Sequence, residues 1–345
     1  MKTHFLIFVL LLNFSLFSFA QWSSDASVNT SVAIATGDQV IPKIATSPSG
    51  TTYISWFSGE SGNYNVRLQK MDVYGNKLWA DEGLLVSDHP AMSWLTDWDI
   101  AIDQEEHAII TFQDIRTGNN NIYAYRITPD GEFIWGDDGL ELSNTTAFDA
   151  SPKVTVTNAG NAIIAWASED VVILQKITPE GTFLWGDNGI TLSGENRYSW
   201  PQLLPVGDDD IILKYFEDSG PIMYPTRHIL AQRYDMNGNP VWNEEAVISD
   251  AAGISAWTQI FPFINDGNDG FYIAWHDDRD NNMLASIFVQ HIGSDGLILF
   301  ADDGIEASTM PNRNHFYAKL ALPPGSNDIF IVWNEMDANQ NNRGI

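Results

Sequence analysis

The feature that most constrains this chain is a repeat with a fixed internal ruler. Five times a residue pair is followed by a glycine, six residues after its first member, and then by an aromatic four residues later. The copies are Gln69-Lys70, Gly75, Trp79; Tyr125-Arg126, Gly131, Trp135; Gln175-Lys176, Gly181, Trp185; Gln232-Arg233, Gly238, Trp242; and Gln290-His291, Gly296, Phe300. Both distances hold in every copy, which marks a repeat architecture whose units bury their faces against one another.

An apolar run ending in an aromatic precedes each copy: Tyr53 to Trp56, Ala108 to Phe112, Ala162 to Trp166, Ile211 to Tyr215, Phe271 to Trp275, and a sixth at Ile329 to Trp333. Such runs, bounded by Gly, Asn and Asp, predict strands. An earlier strand is expected at Lys43-Ile44, Asp99-Ile100, Lys153-Val154, Gln202-Leu203, Gln259-Ile260 and Lys319-Leu320, and a fourth after the ruler's aromatic, as at Gly139 to Leu142. Turns such as Pro129-Asp130-Gly131 and Asn237-Gly238 place glycine where a tight hairpin needs positive φ.

Four strands per unit and no helical period predict an all-β fold, a β-propeller of four-stranded antiparallel blades. About six blades are visible, the last incomplete, because the sixth repeat stops at Ile345 without its third and fourth strands. Residues 22–30 are expected to form an orphan outer strand that pairs with the final blade, or to be left unpaired because that blade is incomplete. Trp79, Trp135, Trp185 and Trp242 are expected at equivalent buried positions between blades, not at a ligand.

The first twenty residues read as an export signal: Lys2, an apolar run from Phe5 to Ala20, and small residues at Ser18 and Ala20. Residues 1–20 are thus assigned as signal peptide and 21–345 as propeller repeats, with a secreted or outer-surface location. The apolar run is shorter than the roughly 20 residues that span a bilayer, so no transmembrane segment is expected after cleavage. A formal charge of −28 argues against a nucleic-acid partner, which needs clustered Lys and Arg. With no Cys, disulfides and thiol catalysis are excluded.

Length variation is confined to one loop. From the second-strand aromatic to the third-strand pair the gaps are 13, 13, 9, 17 and 15 residues, which points to function on the face carrying that loop. Trp200, Trp257 and Tyr317 are read there as one equivalent position, with Trp98 one residue out of register, and aromatics at a channel mouth can stack on sugars. Asp114 with Arg116, and Asp277 with Arg279, are candidates for the rim or for turn-stabilising pairs. Asp278, Asp280 and Asn282 have the alternating oxygen spacing of a calcium loop, as do Asp337, Asn339 and Asn341, without the downstream acidic ligand. Ca²⁺ is therefore the one ion the pattern admits, and no other cofactor is expected.

The succession of aromatic-ended strand, Asp-x-Arg, Asn-rich loop, Gln-Arg, Asp-Gly and Trp, clearest from Phe112 to Gly139, resembles the repeats of large secreted propeller proteins of Bacteroidota. That resemblance, over residues 22–345, implies type IX secretion or surface display. The Gly131-to-Trp135 spacing is also similar to quinoprotein-type propeller repeats, whereas the Asp-box of sialidases matches less well.

No nucleophile motif, His-rich metal cluster or phosphate loop is present, but two carboxylates suffice for a glycosidase. The sequence therefore puts non-catalytic recognition of a polysaccharide or an extracellular protein first. A glycan-active enzyme, hydrolase or lyase, comes next, and a structural or assembly scaffold last. On this reading the chain is more often not an enzyme, and fold alone cannot decide.

Overall fold

The structure is a computed structural model, which describes residues 25, 27–60, 62–91, 97–326, 328–339, 341, 343 and 344. The export-signal assignment therefore lies outside the described residues. Among the described residues the chain is all-β, with no helix.

Strands pair antiparallel in chain order within each sheet. The first sheet holds β1 (Gln39–Thr46), β2 (Thr52–Glu60), β3 (Asn63–Met71) and β4 (Leu84–Ser87). The second holds β5 (Asp99–Ile102), β6 (Ala108–Asp114), β7 (Asn121–Ile127) and β8 (Leu140–Glu141), and the third β9 (Asp149–Val156), β10 (Ala162–Ser168), β11 (Val171–Ile177) and β12 (Ile190–Leu192). The fourth comprises β13 (Arg197–Val206), β14 (Asp210–Ser219), β15 (Thr226–Tyr234) and β16 (Ala246–Ser249). The fifth comprises β17 (Phe263–Asn265), β18 (Phe271–Asp277), β19 (Ser286–Ile292) and β20 (Ile305–Glu306), and β21 (Asn314–Ala321) with β22 (Phe330–Met336) make a two-stranded sixth.

Successive first strands lie side by side: β1 against β5, β5 against β9, β9 against β13, β13 against β17 and β17 against β21. The sheets thus fan outward from a common inner edge, and each gap between neighbours holds its own core. Strand alternation sends Ile110 and Phe112 of β6 toward the first sheet and Ile109 toward the third. The same division recurs in β14, where Ile211 and Leu213 face the third sheet and Ile212 and Phe216 the fifth.

The repeat ruler has a direct structural cause. The indole N–H of Trp135 donates to the carbonyl of Pro179 in the next sheet's hairpin (2.9 Å), that of Trp185 to Met236 (3.3 Å) and that of Trp242 to Ser294 (2.9 Å). Each acceptor lies two residues before the ruler's glycine. A Cβ on Gly238 would come within 2.3 Å of Ile190 Cδ1 and 3.1 Å of Trp185 Nε1, and Gly238 has a φ of 84°. Glycine is therefore required by the docked indole as well as by the turn.

The glutamine of the ruler locks the same segment within its own sheet. Gln69 Oε1 accepts from the backbone N–H of Lys70 (3.0 Å) and Trp79 (3.2 Å), while its Nε2 donates to Ala80 O (2.8 Å). Gln175 and Gln290 repeat the arrangement, and Gln232 differs only in donating to the carbonyl of Trp242 itself. Trp135, Trp185 and Trp242 are buried as expected, and Trp79 is half-buried.

One expectation is met only in its alternative form, and one needs correction. The described part of residues 22–30 forms no strand, and the segment after it bonds back to the first sheet, where Ile34 N–H donates to Asp81 O (2.9 Å). The fifth first strand begins at Phe263 rather than at Gln259-Ile260. Phe263 pairs with Ile273, two residues before Trp275, just as Ile44 pairs with Ile54, two before Trp56.

The docking geometry makes a comparative prediction. Gly238→Ala should lose about 2–4 kcal/mol of stability, combining left-handed strain with overpacking against Ile190 and Trp185. Gly136→Ala, at a φ of 88° with nothing within 4 Å of its Cβ, should lose only about 1–2 kcal/mol. Urea unfolding of the two variants checks the order.

Candidate functional site

The inner edge carries the site because the first strands are bulged at one register. In β1 the pairs Val40 with Phe57 and Lys43 with Ser55 leave Ile41 and Pro42 opposite the single residue Trp56. The same two-against-one step places Ser151-Pro152 opposite Trp166, Trp200-Pro201 opposite Tyr215, and Tyr317-Ala318 opposite Trp333. Proline suits the second bulge position because its missing N–H falls where the ladder is already broken. The first bulge residues Ile41, Ser151, Trp200 and Tyr317 all hold a left-handed φ, between 50° and 57°. Pairing of Asp99 with Thr111 puts Asp97 at this position in the second sheet, and the register of β17 puts Ile260 there in the fifth.

These six equivalent residues all line one cavity of about 1270 Å³. Its two halves differ in chemistry. The fourth to sixth sheets contribute Trp200, Trp257, Tyr317 and His276, and the first three contribute Ile41, Asp97, Ser151 and Glu169.

On the aromatic half, Trp257 is 78% and Tyr317 66% exposed, and Trp200 packs against the core between the fourth and fifth sheets. His276 sits edge-on to Phe261, Phe316 and Tyr317, with its Nε2 3.3 Å from the Thr258 hydroxyl. Burial brings its imidazole down to about 4 against the pull of Asp277, so the ring is neutral near pH 7.

On the ionic half, Asp97 is held by lysines from the sheets on either side: Lys43 Nζ donates to Oδ1 at 2.5 Å, and Lys153 Nζ donates to Oδ2. Burial alone would raise the Asp97 carboxyl, but Lys153 and Lys43 outweigh it and hold it below the ordinary aspartate range. Asp99, two residues on, is pushed the other way by burial despite Lys153. Glu169 is exposed at a two-residue hairpin closed by Ser168 and Val171, with a φ of 52°.

The candidate residues named from sequence are scattered by these facts. Trp200, Trp257 and Tyr317 line the cavity, but Trp257 lies three residues before the bulge position that Ile260 occupies. Trp98 does not face the cavity. It is fully buried, 5.0 Å from Phe57, and its indole N–H donates to Ile41 O at 3.1 Å. The residue that takes the inner position in its sheet is its neighbour Asp97.

Asp114 and Arg116 form a clamp remote from the cavity wall. Arg116 bonds the buried Asp114 at 2.6 Å, donates to Asp138 O at 2.8 Å and lies 3.6 Å over the Tyr123 ring. Arg279 treats Asp277 in the same way, donating to Asp303 O at 3.0 Å and lying 3.3 Å over Phe288, and of these four residues only Asp277 reaches the cavity wall. Glu60 with Arg67 and Asp218 with Arg227 repeat the pairing in other sheets. In the Asp278, Asp280, Asn282 segment, the Asp278 carboxylate accepts the backbone N–H of Asn282 and of Met283, both at 2.9 Å. The Asn282 side-chain oxygen accepts from Leu284 N–H at 2.8 Å. No group of three or more metal-binding side chains occurs among the described residues.

Sequence reasoning passed over Asp97, Ser151, Glu169 and His276. The prolines at 42, 152 and 201 mark three of the bulges, and the shortest loop, between Trp166 and Gln175, marks Glu169.

No family model matches the chain, and no curated protein matches it. Among solved structures it is similar to polysaccharide lyase Uly1, with 8% identity over 88% of this chain and 89% of that one and a TM-score of 0.49. It is also similar to a thermostable family-43 glycoside hydrolase (12% identity, 81% and 97% covered, TM-score 0.40) and to the family-32 β-fructofuranosidase of Bombyx mori (11%, 76% and 62%, 0.40). These neighbours are glycan-active enzymes rather than non-catalytic binders. The expectation that recognition without catalysis comes first, and that the chain is more often not an enzyme, finds no counterpart among them, since each is named as a glycan-active enzyme. Identities this low speak to fold, and the chemistry rests on the cavity's own residues.

His276 supplies a prediction about pH. The unfolded imidazole takes up a proton near 6.5 and the folded one only near 4. The neutral ring's contribution is therefore full above pH 6.5 and lost as pH falls toward 4, by about 3 kcal/mol. Denaturant midpoints across that range should fall less steeply in His276→Asn than in the parent protein.

Proposed function

We propose that the chain is a secreted glycan-active enzyme built on a propeller of about six blades, with its polysaccharide bound across the inner cavity. The observation that carries this reading is the common bulge register. It aims one residue from every sheet into a single cavity and sets the rings of Trp200 and Tyr317 across from the Asp97 carboxylate. Exposed indole and phenol faces suit the apolar faces of sugar rings, and a flat ring beneath a pyranose contributes on the order of 1 kcal/mol beyond the area it buries. The opposite half supplies Asp97 and Glu169, carboxylates of the type that hydrolysis of a glycosidic bond needs.

Export is supported by the basic start and apolar run of the first twenty residues, and surface display by the resemblance to secreted Bacteroidota repeats. The acidic surface favours solubility outside the cell.

The test is depolymerisation of a panel of soluble neutral and uronate-bearing polysaccharides, followed by new reducing ends and by unsaturated ends. The parent protein should cleave at least one of them. Trp200→Ala with Trp257→Ala should raise KM about tenfold or more, as expected for two lost stacking contacts. Trp135→Phe should lower the melting temperature and leave KM unchanged. An equal KM in the folded double variant would remove the aromatic half from the site.

A further inference from the structure

The acid–arginine pairs differ in what the arginine reaches. Arg67, Arg116 and Arg279 each donate to a carbonyl just before the fourth strand of their own sheet, at Gly83, Asp138 and Asp303. Arg227 is turned elsewhere. Its Nε donates to Asp218 Oδ1 at 2.7 Å and its Nη2 to Oδ2 at 2.6 Å, and its guanidinium lies 4.4 Å from the centre of the Phe216 ring. Its Nη1 donates to the carbonyl of Thr258 at 2.7 Å and to those of Ser255 and Ala256 at 3.3 Å, in the loop that leaves the fourth sheet for the fifth.

That loop carries Trp257. Between Ser249 and Phe263 the chain forms no strand, so no ladder holds it. Anchors from two sheets hold it instead. The Gly253 carbonyl accepts from Asp278 N–H at 3.2 Å, Arg227 gathers the Ser255–Thr258 turn, and the Gln202 amide bonds both the N–H (3.0 Å) and the carbonyl (2.8 Å) of Phe261. The indole at the apex of the turn stays exposed and lines the cavity, whereas Arg227 and Asp218 beneath it are buried. A buried ion pair is seldom more stabilising than apolar side chains in its place. Its contribution here is a single conformation of the turn, so the ordering of the aromatic platform is completed on folding rather than on binding.

Resting on the reading of the chain as a glycan-active enzyme, we infer that Arg227 is a positioning residue that acts through Trp257. It fixes the turn so that the indole meets a sugar ring as a preformed platform, and it thereby sets how tightly the polysaccharide is held. Its own side chain stays below the turn and outside the cavity wall.

The experiment uses the same polysaccharide panel with Arg227→Lys, which keeps a charge for Asp218 but cannot hold the carboxylate and three carbonyls at once. KM should rise about fivefold, the worth of one stacking contact, with kcat within about twofold of the parent. In a Trp257→Ala background the same substitution should change KM by less than about twofold, because two changes acting through one side chain do not add. Hydrogen exchange at residues 255–259 should quicken in Arg227→Lys. Arg116→Lys, at the matching brace of the second sheet, should lower the melting temperature and leave KM and that exchange unchanged. An unchanged KM in folded Arg227→Lys, or an equal rise with and without Trp257, would overturn the inference and leave the glycan-active reading standing. Unchanged exchange at 255–259 would overturn it as well. Failure of the parent protein to cleave any member of the panel would overturn the glycan-active reading and the platform's role together.

Discussion

The indole of one sheet resting on the glycine turn of the next is the contact on which the rest depends. A four-stranded sheet with two apolar faces cannot be stable alone, so each must find its neighbour at a set distance. Trp135, Trp185 and Trp242 set that distance three times over, each with an N–H bond to a turn carbonyl. Burying a tryptophan removes roughly 200 Å² from water, which at about 25 cal/mol per Å² amounts to about 5 kcal/mol. The hydrogen bond contributes about 1 kcal/mol net. Packing therefore supplies most of the stability, and the bond supplies the aim.

Docking at the outer part of each sheet brings the first strands together at the inner edge. Side chains there have no room to avoid one another, and the bulges decide which of them face inward. One consequence is electrostatic. Asp97 enters a narrow space between two sheets that each offer a lysine, and the Lys43–Asp97–Lys153 bridge ties three successive sheets through a single carboxylate. A buried charge of this kind is tolerated only when paired on both sides. The pairing keeps an ionised acid at the cavity in a protein whose surface is already strongly acidic.

The acid–arginine pairs illustrate how one motif can be read in two ways. Asp114-x-Arg116 and Asp277-x-Arg279 have the composition of a binding rim, and they fall in the loops of variable length. Their geometry is that of a brace. The acid ends the second strand in a buried position, and the guanidinium neutralises it, covers an aromatic ring and reaches a carbonyl on the approach to the fourth strand. An unpaired carboxylate there would be costly to bury, and the recurrence of the pair in sheets with different loops follows from that cost.

Strand content, the four-strand unit and the burial of the ruler's tryptophans were legible in the sequence, because each depends on local pattern. Alternation fixes two faces, glycine fixes a turn, and a constant spacing reflects a constant contact between neighbours. The cavity was legible only in outline. Trp200 and Tyr317 stand where the loop pattern placed them, but Trp98 turned into the core and left the inner position to Asp97, and the fifth first strand starts three residues later than its Gln-Ile pair suggested. Side chains alternate with a period of two, so a bulge or a slip of one residue exchanges the buried face for the open one. Only the pairing of each first strand with its second decides where that exchange falls. The meeting of Asp97, Glu169 and the aromatic half in one cavity was likewise settled by sheets far apart in the chain, because no local pattern records which side chains converge on a shared inner edge.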